Sequence, residues 1–151
     1  MNSNFFKHFQ SKFLSAPLRD KLTVVYIFFG SALLRFMIYF LPFRFYRNLL
    51  GKQQQEVRQE LSANQIEQAK HLKMLIETVC NHTPWESKCL VQAILCKRLL
   101  NKRSIKSVLY LGIANNPNDS KLDAHAWVVV GELILTGAAG HKRFKPVNFY
   151  G

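Results

Sequence analysis

Trp85-Glu86-Ser87-Lys88-Cys89-Leu90-Val91 is answered, 36 residues on from Cys89 to His125, by Asp123-Ala124-His125-Ala126-Trp127. A cysteine opens a run with helical periodicity. A histidine sits inside a run that alternates like a strand. A cysteine nucleophile and its base are brought together by the fold, not by sequence, so such a separation suits the pair. The segments before Cys89 read as helical support and those after His125 as strand, which sets the class as α+β.

The thiolate attacks, not the thiol, and a free cysteine is only about a few per cent ionised at pH 7. Two features could ionise Cys89. One is the positive end of a helix, with Ser87 as N-cap and Cys89 in the first turn. The other is an imidazolium at His125. A rival cap exists in Thr83-Pro84-Trp85-Glu86, with Pro at the first helical position and Glu closing a capping box, which moves Cys89 to the second turn. The favoured reading is a short turn at 83–86 and a helix from near Ser87. Cys89, Ala93, Cys96 and Leu100 also share one helical face, as core residues do, and a lone histidine serves equally as a hydrogen-bonded structural residue. Spacing alone leaves both readings open.

Length and composition narrow the classes. The 151 residues suit one domain with a modest core, and 48% hydrophobic content argues against disorder. Three cysteines (80, 89, 96) cannot all pair, and none form C-x-x-C. A Cys80/His82/Cys89/His125 site is conceivable on ligand types, but no metal is expected. Reduced thiols suit the cytoplasm. The net charge of +12 attracts nucleic acid, anionic membrane or acidic peptide. No recognition-helix or aromatic RNA-binding pattern accompanies it, so nucleic acid is not an expected partner.

Along the chain, residues 1–21 alternate aromatics with lysines, without the layout of a secretory signal, and Pro17 separates this arm from the next helix. Residues 22–41 are apolar except for Arg35. A charge at mid-span costs roughly 3 kcal/mol on insertion scales, so this helix is expected to be buried or to lie on a partner or a membrane surface, not to span one. Pro42 ends it. Gly51-Lys52 lacks the preceding glycine of a phosphate loop, since that position is Tyr46, and no nucleotide site is readable. The polar residues 52–60 are the expected hinge between a docking region, 1–60, and a catalytic core, 61–151.

Within the core, Ser62 and Gln65 cap a helix with an apolar stripe from Ile66 to Val79. Val108–Ile113 reads as a strand, 115–119 as a turn and Ala124–Val130 as a second strand. On that second strand His125, Trp127 and Val129 share one face. Gly131-Glu132 turns the chain into Leu133–Leu135. Residues 144–150, with Pro146, are an edge strand or a loop.

The ordered set resembles the transglutaminase-like cysteine peptidases in their lasso-peptide form, the protease half of the split B proteins. The matching pieces are Cys89-Leu90, the Leu-rich run Leu95 to Leu100, Asn101-Lys102-Arg103, Leu109-Tyr110-Leu111-Gly112-Ile113 and His125-Ala126-Trp127-Val128. Ala32-Leu33-Leu34-Arg35 and Leu41-Pro42-Phe43-Arg44 are similar to the family's apolar helix and its stop. The resemblance implies Cys89 as nucleophile and His125 as base in a transglutaminase-like, papain-like core. It implies a peptidase that removes the leader of a ribosomally made precursor without a cofactor. The implied partners are the precursor, a small leader-binding protein and a separate macrolactam cyclase. A cytoplasmic location is expected, with peripheral contact at the inner face of the membrane open.

One element departs from that pattern. The family expects an acid about a dozen residues past the histidine, where this chain has Leu135-Thr136-Gly137, and no Asp follows Asp123. Glu132, Thr136 and Asn148 are the candidate stand-ins for the third residue. Trp85, Asp123 and Trp127 are candidates for positioning substrate, with core packing the alternative for Trp127.

Overall fold

A computed structural model describes residues 16–55, 59–116 and 121–151. Residues 1–15 of the aromatic-lysine arm, the middle of the expected hinge and most of the 115–119 turn lie outside these residues, and residues 18–21 belong to the first helix.

Prolines bound the first helix. Pro17 is the N-cap of α1, Leu18–Phe40, with Asp20 in its first turn. Pro42 cannot continue α1 and instead opens α2, Phe43–Tyr46, which passes into a 3-10 turn at Arg47–Leu49. The next helix, α3, spans Ala63–Cys80. Its expected capping box is present: the Gln65 amide donates to the Ser62 hydroxyl at 3.3 Å and the Ser62 amide to Gln65 Oε1 at 3.0 Å.

The helix that carries the cysteine, α4, runs Cys89–Asn101. The chain then forms β1, Val108–Asn115; β2, Leu122–Val130; β3, Leu133–Thr136; and β4, Lys145–Tyr150. These four strands make one antiparallel sheet in the order β3-β2-β1-β4. The tail resolves as an edge strand, where Pro146 is tolerated opposite Gly112 beside a shift in register. A short link joins α4 to β1, and Gly112 of β1 pairs with His125 of β2 across the sheet.

One core joins helices and sheet. Ile27 and Leu34 of α1, Leu72 and Ile76 of α3, and Ile94 and Leu95 of α4 meet Leu109, Val128 and Leu135. The amino-terminal helix therefore shares its core with the sheet. Residues of the expected hinge are also tied down: Lys52 and Gly151 exchange backbone hydrogen bonds at 3.0 Å each, and the Gln54 amide donates to Phe149 O at 2.9 Å.

Lys97 adds a polar tie that hydropathy does not reveal. It lies in the middle of α4, only 1% exposed, and donates to Ser107 O at 2.7 Å and Tyr150 O at 3.1 Å. These bonds fasten the helix to the approach of β1 and the end of β4. Burial pushes its ammonium down to about 8.

Candidate active site

Cys89 is the first residue of α4, nearer the helix end than either expected cap allows. Lys88 takes the N-cap position and supplies no side-chain cap. The two side chains expected to compete for that role bond to each other: the Thr83 and Ser87 hydroxyls are 2.9 Å apart. Thr83 Oγ1 is also 3.0 Å from the Cys80 and Trp85 carbonyls, which closes the 83–86 turn. The first-turn N–H groups of α4 are left without a side-chain cap, and those are the groups that attract negative charge.

The three thiols are unequal. Cys80 and Cys96 are buried, whereas Cys89 is half-buried at the rim of the core. Burial pushes the Cys80 thiol up to about 11, against a smaller opposing effect of a Ser87 hydrogen bond. Burial also pushes Cys96 up to about 12, with the Glu77 carboxylate adding to it. Both thiols are thereby held protonated at neutral pH.

His125 lies on the pleat of β2 opposite the core-facing Ala126 and Val128. Its ring stacks on Phe144 at 4.8 Å and on Trp127 at 6.0 Å. Nε2 lies 2.8 Å from Gly137 O. A carbonyl only accepts, so Nε2 carries the hydrogen and Nδ1 is the nitrogen left with a lone pair. Among the described residues the Cys89 thiol has no hydrogen-bond partner, and the contacts of the His125 ring are those just named. No hydrogen bond joins the two residues among the described residues.

None of the three expected third residues hydrogen-bonds the His125 ring among the described residues. Glu132 is exposed at the tip of the β2–β3 hairpin. Thr136 is buried, and its hydroxyl has no partner among the described residues. Asn148 donates to the Tyr150 hydroxyl at 3.1 Å and accepts from the Phe149 amide at 2.9 Å. The group that orients His125 is the main-chain carbonyl of Gly137, twelve residues past the histidine. Gly137 has φ +70°, and a Cβ there would lie 2.4 Å from Ala126 O and 3.0 Å from His125 Nε2. No side chain fits that position, so the carbonyl stands where an acid was expected. A main-chain acceptor leaves no letter in the sequence, apart from the glycine that makes room for it.

The substrate-positioning candidates all have internal partners. Trp85 Nε1 donates to Ser31 Oγ at 3.0 Å, and its ring meets the Phe28 ring at 5.0 Å, clamping the segment before Cys89 to α1. Beside it Arg35 pairs with Glu86 at 2.8 Å, across 51 residues of sequence. Asp123 pairs with Arg143 and accepts from Asn116 Nδ2 at 3.0 Å. Trp127 is 5% exposed, stacked on Tyr110 at 5.5 Å over Gly112, where a Cβ would lie 2.8 Å from the indole. Among the described residues no group of three or more His, Cys, Asp or Glu side chains could hold a metal ion, so Cys80, His82, Cys89 and His125 are not gathered as ligands.

Comparison with known proteins gives one match. The family model described as the transglutaminase-like superfamily covers residues 35–148, from within α1 to β4 and including both Cys89 and His125. No curated protein and no solved structure matches the chain.

Proposed function

As the chain belongs to the transglutaminase-like superfamily, whose members include cysteine peptidases and acyltransferases, we propose that it is a cysteine peptidase that removes the leader from a lasso-peptide precursor. The observation that carries the proposal is the inequality of the thiols. Cys89 alone is half-buried at an uncapped helix N-terminus, while burial holds the other two protonated.

In this reading Cys89 Sγ attacks the carbonyl carbon at the end of the leader. His125 Nδ1 takes the thiol proton and then gives it to the leaving amine as the C–N bond breaks. Water hydrolyses the resulting thioester, releasing the leader acid and the free thiol. The Cys89 N–H, at the open helix end, faces the developing oxyanion. The thiol–imidazole contact forms in the substrate complex, as catalytic hydrogen bonds often tighten only there. The chemistry calls for no metal or cofactor. A small leader-binding protein presents the precursor, and a separate cyclase uses the amine set free.

A scaffold that has lost catalysis and only holds the cyclase is the second reading, favoured by the absence, among the described residues, of a carboxylate on the His125 ring. Incubation with a candidate precursor and its leader-binding partner, read by mass spectrometry, separates the two. One cut at the leader boundary, lost in a folded Cys89→Ala protein, supports the peptidase. No cut by the wild type, with the cyclase still bound, supports the scaffold.

A further inference from the structure

We infer that the outward face of α1 lies on the surface of an anionic lipid bilayer, an inference independent of the peptidase reading. Leu18, Leu22, Phe29, Leu33, Phe36 and Phe40 recur at helical spacing and are 55–71% exposed. They form a stripe along a helix about 34 Å long, opposite the buried Thr23, Ile27, Ser31 and Leu34. No charged residue interrupts the stripe. Folded monomers rarely leave so large a contiguous apolar surface in water.

The charge around the stripe chooses the occupant. Between residues 18 and 50 the chain has five Lys or Arg (19, 21, 35, 44 and 47), of which Arg35 pairs with Glu86, and one acid, Asp20, which pairs with His71 at 3.0 Å on the inner side. Arg98, which lines a groove of about 450 Å³ together with Phe29 and Leu33, donates to the Tyr26 hydroxyl at 3.1 Å, and the Lys102 ammonium sits 4.0 Å from the Tyr26 ring centre. A second copy of this face would set like charges against each other. A bilayer rich in anionic lipid offers an apolar interior for the stripe and negative headgroups for its basic rim.

α1 is long and apolar enough to cross a membrane. Its other face shows why it lies in the plane instead. Crossing would pull Ile27 and Leu34 out of the core, break the Trp85–Ser31 and Arg35–Glu86 contacts and place Arg35 among acyl chains. The rest of the domain takes the part that the polar face plays in an isolated interfacial helix.

The test is flotation of the full-length protein with phosphatidylcholine vesicles, with and without about one third phosphatidylglycerol. Binding to the anionic vesicles should exceed binding to pure phosphatidylcholine by about tenfold or more, and alkaline carbonate should release it. Phe29→Ser with Leu33→Ser, at exposed positions, should weaken binding by about tenfold or more with circular dichroism unchanged. Arg44→Gln with Arg47→Gln should do the same without touching the stripe, and serves if the first variant misfolds. Equal binding to both vesicle types, or binding unchanged in both variant pairs, overturns the inference. So does retention after carbonate, which marks a span, or failure to bind vesicles by a protein that light scattering shows to be dimeric through this face.

Discussion

The ring of His125 is held by the main-chain carbonyl of Gly137, 2.8 Å from Nε2. A carbonyl cannot ionise, and it cannot be replaced by mutation of a side chain. It fixes the imidazole tautomer as a carboxylate would, but adds no full negative charge to stabilise an imidazolium. The position depends on glycine twice, through its φ of +70° and through the space a Cβ would need.

Gly137→Ala should therefore cost stability, by about 1–3 kcal/mol, and lower leader cleavage as well. Gly137→Asp should not restore an acid triad, because its Cβ meets Ala126 O before the carboxyl can reach the ring. Urea midpoints and cleavage rates measured on the same preparations check both outcomes. A Gly137→Asp protein that is stable and faster than wild type would show that the carbonyl is not the orienting group.

Cys89→Ala should abolish cleavage in a folded protein, while Cys80→Ser and Cys96→Ala should act only through stability. His125→Ala should cost about a thousandfold or more, and the double variant little beyond Cys89→Ala alone, as for residues that act as a unit. A thiol-alkylating probe at neutral pH should modify Cys89 first, since burial holds Cys80 up to about 11 and Cys96 up to about 12. Peptide mapping after partial alkylation reads the order. Cys80 or Cys96 reacting ahead of Cys89 would count against the assignment.

Lys97 should give stability an alkaline dependence. Its folded-state value is depressed to about 8 from an ordinary 10.5, so between these values the unfolded chain binds more protons there. On this account alone stability rises with pH across that window. Cys80 and Cys96 work the other way: their raised values mean that stability falls as the unfolded thiols ionise first. The difference between wild type and Lys97→Met isolates the lysine. From pH 8 to 10 the urea midpoint of the wild type should rise relative to that of Lys97→Met; parallel profiles would mean that the ammonium is not desolvated.

Much of the fold was legible because its signals are local. The Ser62–Gln65 box, the prolines at 17 and 42, and the alternation through β2 each act within a few residues, and each element formed. The start of α4 was harder because two hydroxyls competed for one cap, and the resolution, Thr83 bonding Ser87, depends on a turn that brings them together. Long-range polar ties were illegible in kind: Arg35 to Glu86, Trp85 to Ser31 and buried Lys97 to two carbonyls are contacts of tertiary structure. Arg35 shows the consequence. As a lone charge in an apolar run it argued against a span, and the structure gives it a partner three residues before Cys89.

That partner lies in a segment clamped to α1 mainly by Trp85, which predicts how Trp85 variants behave. The indole Nε1 donates to Ser31 Oγ at 3.0 Å, and Ser31 is fully buried, its own hydroxyl donating to Phe28 O at 2.8 Å. Trp85→Phe keeps an aromatic edge near Phe28 and loses one hydrogen bond, so it should cost about 0.5–1.5 kcal/mol. Trp85→Ala loses the ring contact too and should cost about 3 kcal/mol or somewhat less, as the side chain is only partly buried. The Arg35–Glu86 pair is exposed and shared with Lys88, so Arg35→Gln should cost no more than about 1 kcal/mol. If the clamp fixes the approach to Cys89, Trp85→Ala should lower kcat for leader cleavage with KM little changed, and Trp85→Phe should restore most of it. If Trp85 instead touches substrate, Trp85→Phe should raise KM while leaving the urea midpoint in place. Steady-state kinetics beside urea titration of the three variants decides between them.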